Sequence, residues 1–124
     1  MTTADEFFAV DTYEQRIFDL LLVSLRRRYP STETEVQKTD VALQEGGRPF
    51  AYVWVPGVRR IPGRPLHYVI VSFGLNRCID DPRMTEVTQS YPGRWMHHVV
   101  VAEPADIDDT LIGWLTAARN WKIR

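Results

Sequence analysis

The chain has 124 residues, 44% of them apolar and 25% charged, with a formal net charge of -1. This is the composition of one ordinary globular domain, and it excludes an intrinsically disordered chain. A domain of this length buries roughly two-thirds of its unfolded surface, enough for one core without staples, and its near-zero charge excludes a general affinity for nucleic acid or anionic membranes.

Met1 to Val10 contain no basic stretch and no long apolar run, so the segment reads as neither a signal nor a transit peptide. The nearly apolar runs Leu20 to Val23 and Val99 to Ala102 are far too short to span a bilayer, and no membrane partner is expected. The single cysteine, Cys78, cannot form an internal disulfide and fits a reducing compartment; the cytoplasm is the expected location. Charge is uneven along the chain. Residues 1–47 hold nine acids and five bases, and residues 48–98 hold three acids and seven arginines. Such a split marks either a cationic surface or two faces that neutralise each other in the fold.

A helix opens at Thr12, a good N-cap with Gln15 three residues on. Ile17, Leu20, Leu21, Ser24 and Leu25 recur at helical spacing, Arg26 to Arg28 meet the negative end of the dipole, and Tyr29-Pro30 stops the run. Residues 31–35 read as a connection. Val36 to Gln44 alternates as one half-buried strand, and Glu45-Gly46-Gly47-Arg48-Pro49 supplies a five-residue turn into a second strand, Phe50 to Val55. Pro56-Gly57 and Ile61-Pro62-Gly63-Arg64-Pro65 mark a long loop. Leu66 to Phe73 is the third strand. Gly74 to Gly93 has turn signals and no period, and Trp95 to Ala102 is the fourth strand. A final helix runs from Ile107 to about Trp121, capped by Asp106, with an apolar stripe of Ile107, Leu111, Trp114, Leu115 and Ala118. The expected fold is α+β: a four-stranded, mainly antiparallel sheet, order α-β-β-β-β-α, with both terminal helices on one face.

Several runs carry a family likeness. They are Lys38-Thr39 followed by Val41-Ala42-Leu43, then Phe50 to Val53 leading to Pro56, Trp95 to Val101, and Asp106 to Asp109 with the helix bearing Leu111, Trp114, Leu115 and Ala118. From Tyr13 to Trp121 the chain resembles the bacterial family called domain of unknown function 5655. The resemblance implies a small α+β sheet-and-helix domain and carries over no catalytic residue. The loop from Arg77 to Arg94 is its least family-like stretch.

The arginines Arg59, Arg60, Arg64, Arg77, Arg83 and Arg94 all fall in predicted loops. Lys38, Arg59, Arg60, Arg64, His67 and Arg94 are the candidate ligand-binding residues, since guanidinium groups beside aromatic rings suit a small anion; solvated charges pairing with the acidic N-terminal part are the plainer reading. His67, His97 and His98, with Asp80 or Asp81, suggest a metal-dependent hydrolase as the alternative. No HxH, HExxH or CxxC spacing supports it, and adjacent His97 and His98 must point to opposite faces of a strand. Cys78 could be a nucleophile with a histidine base, or an ordinary loop thiol. A non-enzymatic binding or interaction module is the leading expectation, with no cofactor assigned. Phe50, Tyr52 and Trp54 alternate with Ala51, Val53 and Val55, so both faces of that strand are apolar. Two helices cover one sheet face, which leaves the other to the long loops or to a second copy; a homodimer is expected.

Overall fold

A computed structural model of the chain describes residues 7–8, 12–55 and 65–123. Helix α1 spans Tyr13–Arg28. Six strands follow: β1 Glu33–Val36, β2 Val41–Glu45, β3 Arg48–Trp54, β4 Val69–Leu75, β5 Met84–Tyr91 and β6 Arg94–Val101. A 3-10 turn, Pro104–Asp106, leads into helix α2, Asp109–Ile123. The strands form one sheet in the order β1-β2-β3-β4-β6-β5, and every neighbouring pair is antiparallel. The expected α+β class holds, but the sheet has six strands rather than four.

The two extra strands are the sheet's edges. Val36 to Gln44 is not one strand, because the chain reverses through Gln37-Lys38-Thr39-Asp40, where the Gln37 amide donates to the Asp40 carbonyl at 2.8 Å. Val36 then pairs with Val41. That turn holds no glycine or proline, so the apolar alternation runs across it unbroken. At the other edge, β5 is largely polar and exposed, and its Thr, Glu, Gln and Ser side chains leave no period to read. Short or polar edges discourage pairing with other chains.

Two turns are tighter than the composition suggested. β2 and β3 are joined by Gly46-Gly47 alone, with φ of 58° and 77°. Two successive positive φ values match the twist of a two-residue hairpin and favour glycine. A bulge follows between Leu43 and Gln44, opposite Pro49, where a residue without an N–H is tolerated. The bulge lets both Phe50 and Ala51 turn inward. Pro92-Gly93, with Gly93 at φ 86°, closes the β5–β6 hairpin.

The core collects side chains of a single strand face. Cross-strand pairing carries Val41, Val53, Val71 and Val99 in one row and Leu43, Ala51, Phe73 and His97 in the next. Ile17, Phe18, Leu21 and Leu25 of α1 and Leu111, Ile112, Leu115 and Ala118 of α2 join the same buried cluster. Thr12 caps α1 as expected, accepting from the Gln15 amide at 3.2 Å. The start of α2 differs from expectation. Asp106 instead accepts from the amides of Ala102 and Glu103 at 2.9 and 3.0 Å, closing the 3-10 turn. Asp108 caps the helix through the Leu111 amide at 2.9 Å. Two capping residues in close succession made the boundary ambiguous in sequence. The third strand also begins later, at Val69, because Leu66 lies 68% exposed in the connection before it.

Candidate functional site

β4 leaves the sheet at Leu75, and Asn76 and Arg77 continue the chain. The last turns of α2 bring Ala117, Asn120 and Trp121 beside them, since three- and four-residue spacing places all three on one helix face. These six residues line an open cleft of about 380 Å³, at the low end of the volumes that hold small ligands. Gly74 gives the neighbouring groups room: a Cβ built there would lie 3.2 Å from Arg94 Nε, 3.2 Å from Met96 Sδ and 3.5 Å from Trp121 Cζ3. Trp121 therefore lines the cleft, and its ring and the Arg94 side chain both lie close to Gly74. The Arg94 guanidinium stands over the Tyr91 ring at 5.7 Å, and its buried Nε has no acceptor among the described residues.

The arginines around the sheet are sorted into committed and uncommitted groups. Arg119 donates to Glu45 Oε1 at 2.8 Å and lies 4.0 Å over the Tyr29 ring. Ser31 donates to the same carboxylate at 2.7 Å. The hydrogen bonds from Arg119 and then Ser31 hold the Glu45 carboxyl below the usual carboxylate range. Arg119 also donates to Asn120 Oδ1 at 3.1 Å, which occupies that amide's acceptor and leaves its donors. Arg83 is committed too: it donates to Asp108 at 2.9 Å and to the Asp106 carbonyl at 2.7 Å, with its guanidinium 5.4 Å over Trp114. Burial alone would push the Asp108 carboxyl up, but the Leu111 amide and Arg83 outweigh it and hold it low. Arg77 and Arg94 have no carboxylate partner among the described residues. No acid lines the cleft.

The histidines are divided by the sheet. His97 faces the core, fully buried and stacked on Phe73 at 5.0 Å, with Trp114 stacked on the far side of Phe73 at 6.2 Å. Its Nε2 accepts the Ile79 amide at 3.0 Å, so the ring is neutral with its proton on Nδ1. Desolvation by burial keeps its pKa low, opposed by the backbone carbonyls of Phe73 and Trp95 and helped by His98 and Arg77. His98 lies on the opposite face in a row with Ala42, Tyr52, Ser72 and Glu86. There Trp54 Nε1 donates to Ser72 Oγ at 2.9 Å, and Ser72 Oγ is 2.7 Å from His98 Nδ1. The hydroxyl and the imidazole share one hydrogen bond whose direction follows the His98 tautomer. Burial also lowers the pKa of His98, with Glu86 opposing. Serine, histidine and glutamate in one row suggest a hydrolytic triad, but the surroundings do not fit one. Ser72 is buried in a central strand, its oxygen already accepts from Trp54, and the amides of β4 are committed to ladders with β3 and β6. Among the described residues of β4, the amides are paired in the sheet and offer no oxyanion hole.

The three expected ligand residues that the structure describes, Lys38, His67 and Arg94, do not converge. Lys38 sits exposed in the β1–β2 turn. His67 precedes β4, with Nδ1 2.9 Å from Glu14 Oε1 and its ring 6.2 Å from Tyr13, whose hydroxyl donates to the Ala102 carbonyl. Arg94 starts β6 at the other end of the strands, about 20 Å away by strand rise. Arg59, Arg60 and Arg64 lie outside the described residues. The hydrolase residues are likewise scattered. His97 and His98 occupy opposite faces, Asp81 accepts the Arg83 amide at 2.9 Å, and no group of three or more His, Cys, Asp or Glu among the described residues is placed to hold a metal ion. Cys78 is exposed, and His97, the nearest histidine in this loop's hydrogen bonding, is engaged by Ile79. The sequence reading passed over Asn76, Asn120 and Trp121. The available signal was Trp121, which continues the Leu111, Leu115 and Ala118 stripe three residues on; nothing in the sequence ties Asn76 or Asn120 to it.

A family model described as Domain of unknown function (DUF5655) matches residues 5–120. The chain belongs to that family. No curated protein and no solved structure matches it. Within this DUF5655 domain no helix among the described residues is long and apolar enough to cross a membrane. The cleft joins the end of β4 to the end of α2, and Asn120 at its rim is the last residue of the family match.

Proposed function

We propose that this DUF5655 domain is a non-enzymatic binding module that holds a small anionic ligand in the cleft between the end of β4 and the end of α2. The observation that carries the reading is the contrast among arginines. Arg83 and Arg119 are neutralised by Asp108 and Glu45, whereas Arg77 lines a cleft without acids, Arg94 stands beside the neighbouring Gly74, and neither has a carboxylate partner among the described residues. The partial negative charge of the α2 C-terminus works against an anion there, and Lys122 in the last turn offsets it. An exposed arginine such as Arg77, with no carboxylate to leave, costs little to reorganise around an anion.

Calorimetric titration with inorganic pyrophosphate tests this. Binding should weaken steeply between about 30 and about 300 mM salt, as screening shortens the reach of exposed charges. Arg77→Glu should abolish it while shifting folding stability by under about 0.5 kcal/mol, because Arg77 is exposed. Binding that ignores both salt and the variant would refute the reading.

One feature favours a second reading, a homodimer through the sheet face away from the helices. Tyr52, Trp54, Met96 and Val100 lie on that face and stay only half-buried. The single exposed Cys78 fits a reducing compartment, and on this reading the domain works in the cytoplasm.

A further inference from the structure

We infer that the anion taken by the cleft carries a flat ring with a polar edge, as a nucleoside monophosphate does; this rests on the anion-binding reading above. A bare tetrahedral anion uses only positive charge and would fill a fraction of about 380 Å³. The lining offers three further kinds of group. Trp121 presents an indole ring that is only half-buried, Leu75 and Ala117 supply apolar floor, and Asn76 and Asn120 supply amides. An indole face stacks on any nucleobase, and asparagine amides match the paired donor and acceptor sites of a base edge. With its Oδ1 held by Arg119, Asn120 offers donors, which suits the carbonyl or ring-nitrogen acceptors of a base. Arg77 is the phosphate partner, since guanidinium forks match phosphate oxygens. The small side chain of Ala117 leaves room for a ring to lie against Trp121.

Affinities for AMP, adenosine and inorganic phosphate, measured by calorimetry at low salt on the full chain, decide the matter. AMP should bind at least tenfold more tightly than either fragment. Trp121→Ala should reduce AMP to the phosphate level and leave phosphate binding unchanged, and Trp121→Phe should restore most of the difference. Urea unfolding of each variant confirms that it is folded, and Trp121→Phe keeps the test decisive if the alanine variant is not. Phosphate binding as tightly as AMP would overturn ring recognition and leave the anion reading standing. Adenosine binding as tightly as AMP, with Arg77→Glu without effect on either, would overturn the anion reading. Binding of none of the three would overturn both.

Discussion

Acidification from about pH 7.5 to about pH 5 should weaken this domain progressively, and two histidines set the size of the effect. His97 and His98 are both held below their ordinary value of 6.5 by burial. In the unfolded chain they ionise normally. Between that value and the lower folded one, the unfolded state binds more protons, so stability is full above about 6.5 and falls as the pH drops through this window. Each histidine contributes a slope of at most about 1.4 kcal/mol per pH unit, and the pair about 2.7. His97 should approach its limit, because a second proton would take away the acceptor of the Ile79 amide and place a charge in a fully buried stack. The carboxylates do not confuse this window. Glu45 and Asp108, held low, lose their contribution only as the pH falls below about 4.5. Asp40, pushed up by burial, acts with the opposite sign around the upper carboxylate range. Urea unfolding at half-unit intervals of pH measures the slope, and His97→Gln should roughly halve it. Constant stability from pH 7 to pH 5, or an unaltered slope in the variant, would refute the buried-neutral assignment.

Leu115→Ala removes three carbons from a fully buried position between α2 and the sheet. At about 0.8 kcal/mol for each carbon, plus the void left behind, the loss should be about 2–5 kcal/mol in urea unfolding. A loss under about 0.5 kcal/mol would mean that α2 does not dock as described. If the second copy covers the outer face, sedimentation equilibrium at micromolar concentration should give a mass near twice 14.4 kDa, and a clean monomer would remove that reading.

What was legible in the sequence follows the physics of each element. α1 announced itself because its cap, its stripe and its stop agree: Ile17, Leu21 and Leu25 are buried, although Leu20 of the same stripe is 44% exposed. The central strands were legible because β4 is apolar throughout and β6 turns His97, Val99 and Val101 inward. The edges were hidden for the opposite reason: edge strands are polar by need, and β1 and β5 look like loops until their partners are known. The Gly46-Gly47 hairpin was visible as a turn but not as a two-residue one, since Pro49 reads as a breaker until the bulge opposite it is seen. The cleft was hardest to foresee. Arg77, Asn120 and Trp121 come from different ends of the chain, and only the docking of α2 over the end of β4 brings them together. Lys38, His67 and Arg94 were grouped by charge alone, and charge carries no information about which end of a strand a residue occupies.

The buried stack and the open cleft share one stretch of backbone. Asn76 and Arg77 line the cleft, and two residues beyond Arg77 the Ile79 amide is held by His97 Nε2. The arm that presents Arg77 is thus fixed at one end by the close of β4 and at the other by a neutral imidazole. Proton binding at His97 would turn that acceptor into a donor and release the Ile79 amide, loosening the arm before the sheet itself gives way. The coupling also runs the other way. The positive charge of Arg77 is one of the factors that keep a proton off His97, although burial is the largest. An anion seated on Arg77 offsets that charge and makes protonation of His97 slightly easier, while its binding energy stabilises the folded state as a whole. The anchor of the loop and the charge of the site are therefore linked through about three residues, and the histidine most deeply buried in the fold sets how firmly the exposed arginine is presented.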